Sequence, residues 1–290
     1  MATDGGGTAE YDAAVTSLLL AEAVRVLRAF GFANAHVIVV GGLVPPLLVP
    51  RPEPHVEAHV GTQDLDLCLS IALVDGNVGS YDRLEKCLRD AGFTMALEGG
   101  RPVSWRWRGG TALPIVVEFF CPAGPDRTAG RLFRPGGQVG GKLSAMTLSA
   151  GRLIDMDARE VTIPVDLPGG GGRTQHTLKV VGPAAYLASK ADALRRRNKN
   201  KDAYDIVWLS EAWPGGQQAL AAEIQRSAVA GEPEFIDALN TLGEEFADLD
   251  SAGAVKYARF VADDGGSLDL GAQRAVGAVN ALLALLPRSR

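Results

Sequence analysis

Two aspartates stand at alternate positions in "DLDLCLS", residues 64–70. If this segment is a strand, side chains alternate between its faces, so Asp64 and Asp66 share one face and the leucines share the other. Two neighbouring carboxylates repel each other and are costly to desolvate without a compensating cation. A divalent metal is one such cation, because Mg²⁺ takes carboxylate oxygens and keeps positions open for phosphate. The alternative is an edge strand on which both aspartates are solvated.

A third acid, Glu118, lies in the middle of the apolar segment "LPIVVEFFCP". Alternation along a strand places it on one face with Val116 and Phe120. Two explanations remain open for a glutamate in this position. It either belongs to an edge strand or pairs with an arginine such as Arg106 or Arg108, or it is a third carboxylate of the same metal site.

The segment "VVGG" ends an apolar run with Gly41 and Gly42. A backbone without side chains can approach a phosphate closely and offer its N–H groups to it. Glycines also end strands for steric reasons, so the pair alone is compatible with both interpretations.

The segment "SKADALRRRNKNKDAYDIVWL" combines several basic residues with three aspartates. Lys190 falls on one predicted helix, whereas Asp202 and Asp205 are three residues apart and so share a face of the next. The run "RRRNKNK" is a strongly positive block in an acidic protein and would suit an RNA 3′ end as acceptor. The alternative is a solvated helix junction whose acids cap the first turn.

The elements that carry these residues predict an α+β chain with a mixed β-sheet and flanking helices, followed by a C-terminal helical bundle. Strand and helix patterns alternate up to residue 182, with a hairpin around "PGGGGRT", and beyond Pro183 only helical patterns follow. We predict a disordered N-terminus at 1–10, an α/β domain at 11–182 and a helical domain at 183–290. Predicted strands lie at 36–41, 64–70, 93–97, 104–108 and 113–121, and predicted helices at 11–30, 79–91, 183–197, 200–212, 216–230, 233–248, 252–263 and 270–286.

Composition excludes several classes of protein. The chain has 290 residues, of which 47% are hydrophobic and 22% charged, as in ordinary globular proteins. Its net charge of −5 gives no support for binding nucleic acid by bulk electrostatics, so any polyanion would have to be met locally. The three cysteines form neither a disulfide framework nor a metal clip. No apolar run reaches membrane-spanning length, so we expect no membrane partner and a cytoplasmic location.

Taken as a set, these motifs resemble the nucleotidyltransferase superfamily of the polymerase-β type. The resemblance covers roughly residues 36–212 and rests on the order GG, DxD, a strand with an acid, and K…KDxxD on helices. The segment "KADALRRRNKNKDAYDIVWL" is similar to the signature of the AbiEii/AbiGii branch, the type IV toxins that include the MenT-like toxins. The implied fold is a nucleotidyltransferase-type mixed sheet followed by helices.

The resemblance also implies roles for individual residues. The metal ligands would be Asp64, Asp66 and Glu118, binding Mg²⁺ or Mn²⁺. The residues implied in catalysis are Asp64, Asp66, Glu118, Lys190 and Asp202, and those implied in nucleotide binding are Gly41, Gly42, Lys190, Arg197 and Asp205.

The activity implied is transfer of a nucleoside monophosphate from an NTP to a hydroxyl acceptor, with release of pyrophosphate. An RNA or tRNA 3′ end would be the acceptor, and a cognate antitoxin would be a partner. Two alternatives stay open: a small-molecule nucleotidyltransferase acting on an aminoglycoside-like hydroxyl, and a non-catalytic nucleotide-binding module.

The chain departs from the branch in two places. The run "HVGTQDLDL" has no arginine before the DxD pair, so a phosphate contact from that loop would need Arg51, His55 or His59 as a substitute. Glu118 stands where an aspartate is more familiar, and its longer side chain reaches further.

Overall fold

The computed structural model describes residues 13–31, 36–70, 79–124, 127–134, 143–167, 170–262 and 266–286. These residues form an α+β chain with a mixed sheet and helices, which is the predicted fold class. The predicted disordered segment 1–10 lies outside the described residues. No helix in the described ranges is both long and apolar enough to cross a membrane.

The strands and helices are numbered in chain order over the described residues. The strands are β1 Val37–Val40, β2 Asp64–Leu69, β3 Thr94–Glu98, β4 Arg101–Gly109, β5 Ile115–Pro122, β6 Leu132–Phe133, β7 Ala145–Leu148, β8 Ala158–Leu167 and β9 Gly172–Val181. The helices are α1 Ala13–Phe30, α2 Val44–Leu48, α3 Gly79–Asp90, α4 Gly151–Met156, α5 Pro183–Arg196, α6 Asn200–Ala212, α7 Gly216–Arg226, α8 Pro233–Glu245, α9 Ala252–Val261 and α10 Leu268–Leu285. A 3₁₀ turn, Gly41–Leu43, links β1 to α2.

The nine strands form one mixed sheet in the order β3-β4-β5-β2-β1-β9-β8, and β7 pairs with β5 and with β6. Two neighbouring pairs on the main path are parallel, β2 with β5 and β1 with β9, and the other pairs on it are antiparallel. The parallel pairing of β2 with β5 brings together the two strands that carry the predicted carboxylates.

One face of the central strands is buried under helices. Leu67 of β2 and Phe119 of β5 are fully buried, and the Phe119 ring lies 6.2 Å from that of Phe30 in α1. Trp107 of β4 is also fully buried, and the guanidinium of Arg89 in α3 lies 5.2 Å from its ring centroid. Because side chains alternate along a strand, the acids of β2 and β5 occupy the opposite face.

The described chain divides into two compact units. A sheet unit is formed by Ala14–Val44 and Gly61–Val181, and a helical unit by Pro45–Val60 with the described part of Gly182–Arg290. The predicted domain limits, 11–182 and 183–290, stay a prediction; the compact units also change at residue 182, but they assign 45–60 to the helical unit.

Segment 45–60 joins the helical unit through its backbone and one buried side chain. The N–H of Glu53 donates to the carbonyl of Ala212 at 3.1 Å, and the indole N–H of Trp208 donates to the carbonyl of Glu57 at 2.9 Å. These bonds attach an irregular, proline-rich segment to α6.

Candidate active site

The predicted carboxylates of the sheet unit lie in two rows that cross three neighbouring strands. In the first row Asp66 is aligned with Glu118, and Glu118 is aligned with Arg106. The second row lies two residues away along each strand. In it Asp64 is aligned with Val116, and Val116 is aligned with Arg108. We call the surface formed by these two rows the carboxylate face. Its three acids are half-buried.

Gly41 lies against Asp66 from the neighbouring strand β1. Its φ is +70°, and a Cβ built on it would come 1.8 Å from Oδ2 of Asp66 and 2.6 Å from Cγ. Only a residue without a side chain fits there, so the glycine lets the backbone approach the carboxylate closely. Gly42, the next residue, is buried within the 3₁₀ turn.

Glu118 forms an ion pair with Arg106, at 2.6 Å between Oε1 and a terminal guanidinium nitrogen. The same guanidinium also bonds Glu98 of β3 and lies 5.2 Å from the ring centroid of Trp105. Burial opposes the charge on Arg106, but the carboxylates of Glu118 and Glu98 together outweigh it, so the pKa of Arg106 is raised. The arginine-paired alternative for Glu118 is therefore the arrangement in this structure.

The carboxylate face has the chemistry that a divalent cation requires. Asp64 and Asp66 project from the same side of one strand, and Glu118 is level with Asp66 on the next. In the described part of the chain, no group of three or more His, Cys, Asp or Glu side chains is already arranged as a metal site. Asp64 and Asp66 offer carboxylate oxygens, which are the ligands that a divalent cation takes, whereas Glu118 is engaged with Arg106.

The remaining predicted residues form a second cluster, inside the helical unit. The ammonium of Lys190 lies 2.9 Å from Oδ1 of Asp202 and 2.6 Å from Oδ2 of Asp205. Asp205 is fully buried and Asp202 nearly so. Burial opposes the charge on Lys190, but the two carboxylates prevail and raise its pKa. Burial likewise opposes the charge on Asp202, and Lys190 and Arg197 lower its pKa to about 2.

Arg197 and Lys201 complete the charged cluster. Arg197 binds Asp202 with two nitrogens, Nε at 2.6 Å and a terminal nitrogen at 2.8 Å, and half of its side chain is exposed. Lys201 reaches Asp205 at 2.7 Å along the same helix. The spacing KDxxD therefore places two aspartates on the face of α6 that meets Lys190 of α5.

His59, which the sequence suggested only as a substitute phosphate contact, is a member of this cluster. Its Nε2 lies 2.9 Å from Oδ1 of Asp205, and its side chain has no exposed surface. Its ring also contacts Trp208, at 4.9 Å between centroids, and Tyr204, at 5.3 Å. Burial and then Lys201 lower the pKa of His59 to about 4, against the opposite effect of Asp205. The imidazole is therefore neutral near pH 7, and its place in the core argues against a phosphate contact.

Little in the sequence indicates that His59 lies beside Asp205. The histidine follows an irregular run of prolines and acids, and Asp205 is distant from it along the chain. One usable signal is the pair of aspartates that leads into the apolar run of "KDAYDIVWL". If these carboxylates are buried, they need more donors than one lysine provides.

Comparison with known proteins gives a match to a family model and matches to solved structures. The model of the family described as nucleotidyl transferase AbiEii toxin, type IV TA system, matches residues 57–278. Among solved structures, JHP933 from Helicobacter pylori is 11% identical over 92% of each chain, with a TM-score of 0.43. A protein from the same species, described as a candidate nucleotidyltransferase, is also 11% identical, over 92% of this chain and 95% of that one, with a TM-score of 0.44. No curated protein matches the chain.

The family match spans most of the chain and both of its clusters. It includes the aspartates of β2, the glutamate of β5 and the lysine and aspartates of α5 and α6. The chain belongs to the AbiEii nucleotidyltransferase toxin family of type IV toxin–antitoxin systems.

Proposed function

We propose that this nucleotidyltransferase moves a nucleoside monophosphate from an NTP to a hydroxyl at an RNA or tRNA 3′ end, with Mg²⁺ or Mn²⁺ at Asp64 and Asp66. The observation that carries the proposal is the contact between Gly41 and Asp66. It places a glycine backbone, which can approach a phosphate, directly beside a carboxylate of the DxD pair. Such a site can meet the phosphate and the cation of a metal–NTP complex together.

Asp64 and Asp66 would hold the metal, and Glu118 would join them on releasing Arg106. A divalent cation bound there would lower the pKa of the acceptor hydroxyl and stabilise charge on the leaving pyrophosphate. The contribution of the chain itself would then be positioning and fixed charge.

The backbone at Gly41 and Gly42 would contact the nucleotide phosphates. The position of this turn beside Asp66 supports this, because a cation held by Asp66 would bring its bound phosphate close to the turn. Gly42 is buried, so it would contribute its backbone N–H group and the shape of the turn.

Lys190 and Arg197 would supply positive charge to the triphosphate. Both are held by carboxylates of the helical unit, Lys190 by Asp202 and Asp205 and Arg197 by Asp202. The role we propose for the two aspartates is therefore to orient these cations, because a buried ion pair fixes its members in one geometry.

The RNA acceptor is supported by exposed basic residues at the junction of α5 and α6. More than half of the Arg195 and Arg196 side chains is exposed, and each is paired on the surface, with Glu244 and Asp192 respectively. Surface pairs of this kind are weak and can exchange for phosphate. As in other type IV systems, the partner proposed for the protein is an antitoxin.

Transfer of label tests the proposal. Each of the four α-³²P NTPs is incubated with the protein, Mg²⁺ or Mn²⁺, and either total tRNA, total protein or no acceptor. Asp66→Asn keeps the size of the side chain and removes its charge, and Asp90→Asn makes the same change on the exposed surface of α3. We expect label in tRNA with wild-type protein and with Asp90→Asn, and at least a hundredfold less with Asp66→Asn.

Label in protein only would replace the RNA acceptor by a protein acceptor. Binding of NTP with metal but no label in any acceptor would contradict the proposed activity. In that case the small-molecule acceptor is tested next with an aminoglycoside, and failure there as well leaves a nucleotide-binding module.

A further inference from the structure

The two rows of the carboxylate face differ in what lies between the aspartate and the arginine. In the first row the middle residue is Glu118, which binds Arg106. In the second row the middle residue is Val116, an apolar side chain that offers nothing to Arg108. The two arginines are two residues apart on β4 and therefore point to the same side of the sheet.

Arg108 is exposed, in contrast to Arg106, which is half-buried. Within the described residues, the Arg108 side chain has no carboxylate partner, whereas Arg106 binds Glu98 and Glu118. A guanidinium on the same face as a DxD pair, and not neutralised there, is available to an anion that comes to that face.

The order of the strands places Arg108 on one particular side of the aspartates. Across the sheet the order is β1, β2, β5, β4, so Gly41 and Arg108 lie on opposite sides of Asp64 and Asp66. Neighbouring strands are about 4.8 Å apart, which puts the backbone of Arg108 about 10 Å from that of Asp64. An arginine side chain can cover most of that distance.

The chemistry of the proposed transfer assigns the NTP to one side of the two aspartates and the acceptor to the other. The acceptor oxygen forms a bond to the α-phosphorus as the bond from that phosphorus to the pyrophosphate oxygen breaks, and the hydroxyl proton passes to solvent. The attacking and leaving oxygens are roughly in line. If the triphosphate lies over the glycine turn of β1, the acceptor lies toward β4.

We infer that Arg108 is a positioning residue for the acceptor, which it holds by a phosphate group of the RNA next to the reacting 3′ end. This inference rests on the proposed function and adds a residue that the sequence motifs do not contain. The planar guanidinium of arginine can donate two hydrogen bonds to one phosphate, which fixes orientation as well as charge. Loss of this contact would weaken RNA binding and leave NTP binding unchanged.

The test compares Arg108→Ala with Arg101→Ala. Arg101 is exposed and lies on the same strand, at the tip of the β3–β4 hairpin. The dissociation constants of unfractionated tRNA and of NTP with Mn²⁺ are measured separately, the former at several salt concentrations. We expect Arg108→Ala to raise the Kd for tRNA about five- to tenfold and to reduce the salt slope by about one, as loss of one phosphate contact does. Arg101→Ala should match wild type in both assays.

Arg108→Lys separates charge from geometry. It should restore most of the salt slope but leave the apparent KM for tRNA raised, because a lysine cannot grip phosphate with two parallel hydrogen bonds. An unchanged Kd for tRNA in Arg108→Ala would overturn the inference. An increase in the Kd for NTP as large as that for tRNA would also overturn it, by placing Arg108 on the donor side.

These binding assays need no turnover, so they are independent of the label-transfer experiment. A wild-type protein that binds tRNA through Arg108 and yet transfers no label would contradict the proposed function and support the contact. Transfer that proceeds with an unchanged KM for tRNA in Arg108→Ala would contradict the contact and support the proposed function.

Discussion

Gly41 and Asp66 are in such close contact that the position of the carboxylate depends on the absence of a side chain at residue 41. A Cβ there would come 1.8 Å from Oδ2 and 2.8 Å from Cβ of Asp66. An added methyl group could be accommodated only by moving the aspartate or the backbone of β1.

We therefore expect Gly41→Ala to reduce nucleotide transfer at least a hundredfold, since a displacement of about 1 Å at a reacting centre has that effect. Gly100→Ala is the matched control: its φ is +78°, close to the +70° of Gly41, and nothing lies within 4 Å of its Cβ position. Backbone strain should lower the free energy of unfolding by about 1–2 kcal/mol in both variants, and the overlap with Asp66 should lower it further in Gly41→Ala. Equal transfer rates in the two variants would refute a role for the Gly41–Asp66 contact.

Arg106 and a metal ion would compete for Glu118. Arg106→Gln removes the cation that lies 2.6 Å from the Glu118 carboxylate and leaves that carboxylate level with Asp66. We expect the affinity for Mn²⁺, measured by isothermal titration calorimetry in the absence of NTP, to rise severalfold, because an additional anion would face the metal.

The double variant Arg106→Gln/Glu118→Gln is the control for this effect and should return the Mn²⁺ affinity to the wild-type value or below it. Weaker Mn²⁺ binding in Arg106→Gln alone would show that the arginine supports the site rather than competing with it. The same titration on Asp66→Asn should show a loss of binding.

Asp205 stabilises the helical unit through three partners. Its fully buried carboxylate contacts Lys190, Lys201 and His59. Asp205→Asn removes the negative charge that pairs with Lys190 and Lys201. We therefore expect the free energy of unfolding to fall by about 3–5 kcal/mol. Asp90→Asn, in an exposed pair with Lys86, should cost at most about 1 kcal/mol. Urea unfolding of both variants measures the difference, and equal midpoints would contradict a structural role for Asp205.

Stability should depend on pH through His59. Its pKa is about 4 in the folded protein, against 6.5 for a free histidine, because burial and Lys201 disfavour its charged form. Between these values the unfolded chain binds a proton that the folded one does not, so stability falls as pH is lowered from 6.5 to 4. The full shift corresponds to about 3 kcal/mol.

Urea unfolding at several pH values between 4 and 7 measures this slope. His59→Gln should flatten it, whereas His55→Gln, an exposed histidine of the same segment, should keep the wild-type slope. A wild-type slope in His59→Gln would assign the pH dependence to another group.

Much of the fold followed from periodicity. The alternation in "DLDLCLS" and "LPIVVEFFCP" predicts strands, and both are observed, as β2 and β5. The leucines of β2 are buried, as are Val117 and Phe119 of β5. The hairpin of β8 and β9 was predicted as well, and α6 was predicted at 200–212, where the structure has it. The short elements β6, β7 and α4 were missed, because two to six residues are too few to establish a period.

The details of the candidate site depended on pairing between distant segments. The sequence named both Arg106 and Arg108 as partners for Glu118, and only the register of β4 against β5 assigns Arg106 to that role. The same register sets Arg108 beside Val116. A shift by two residues would set Arg108 opposite Glu118 without changing any local pattern, so local propensity could not have distinguished the two arginines.

Segment 45–60 illustrates the other limit of the sequence. Its prolines and acids show no period, and its location is fixed by contacts such as that between His59 and Asp205. Because His59 and Asp205 are distant along the chain, the residues around either one do not indicate that the other is its partner.

The membership of segment 45–60 in the helical unit also limits how this protein can be rearranged by recombination. The chain passes from one unit to the other after Val44, returns at Gly61 and passes again after Val181. A chimera with a single crossover at residue 182 would therefore receive the six helices α5–α10 without His59, which binds the buried Asp205. Exchange of the C-terminal half with a relative should succeed only when the β1–β2 connection is inherited from the same parent.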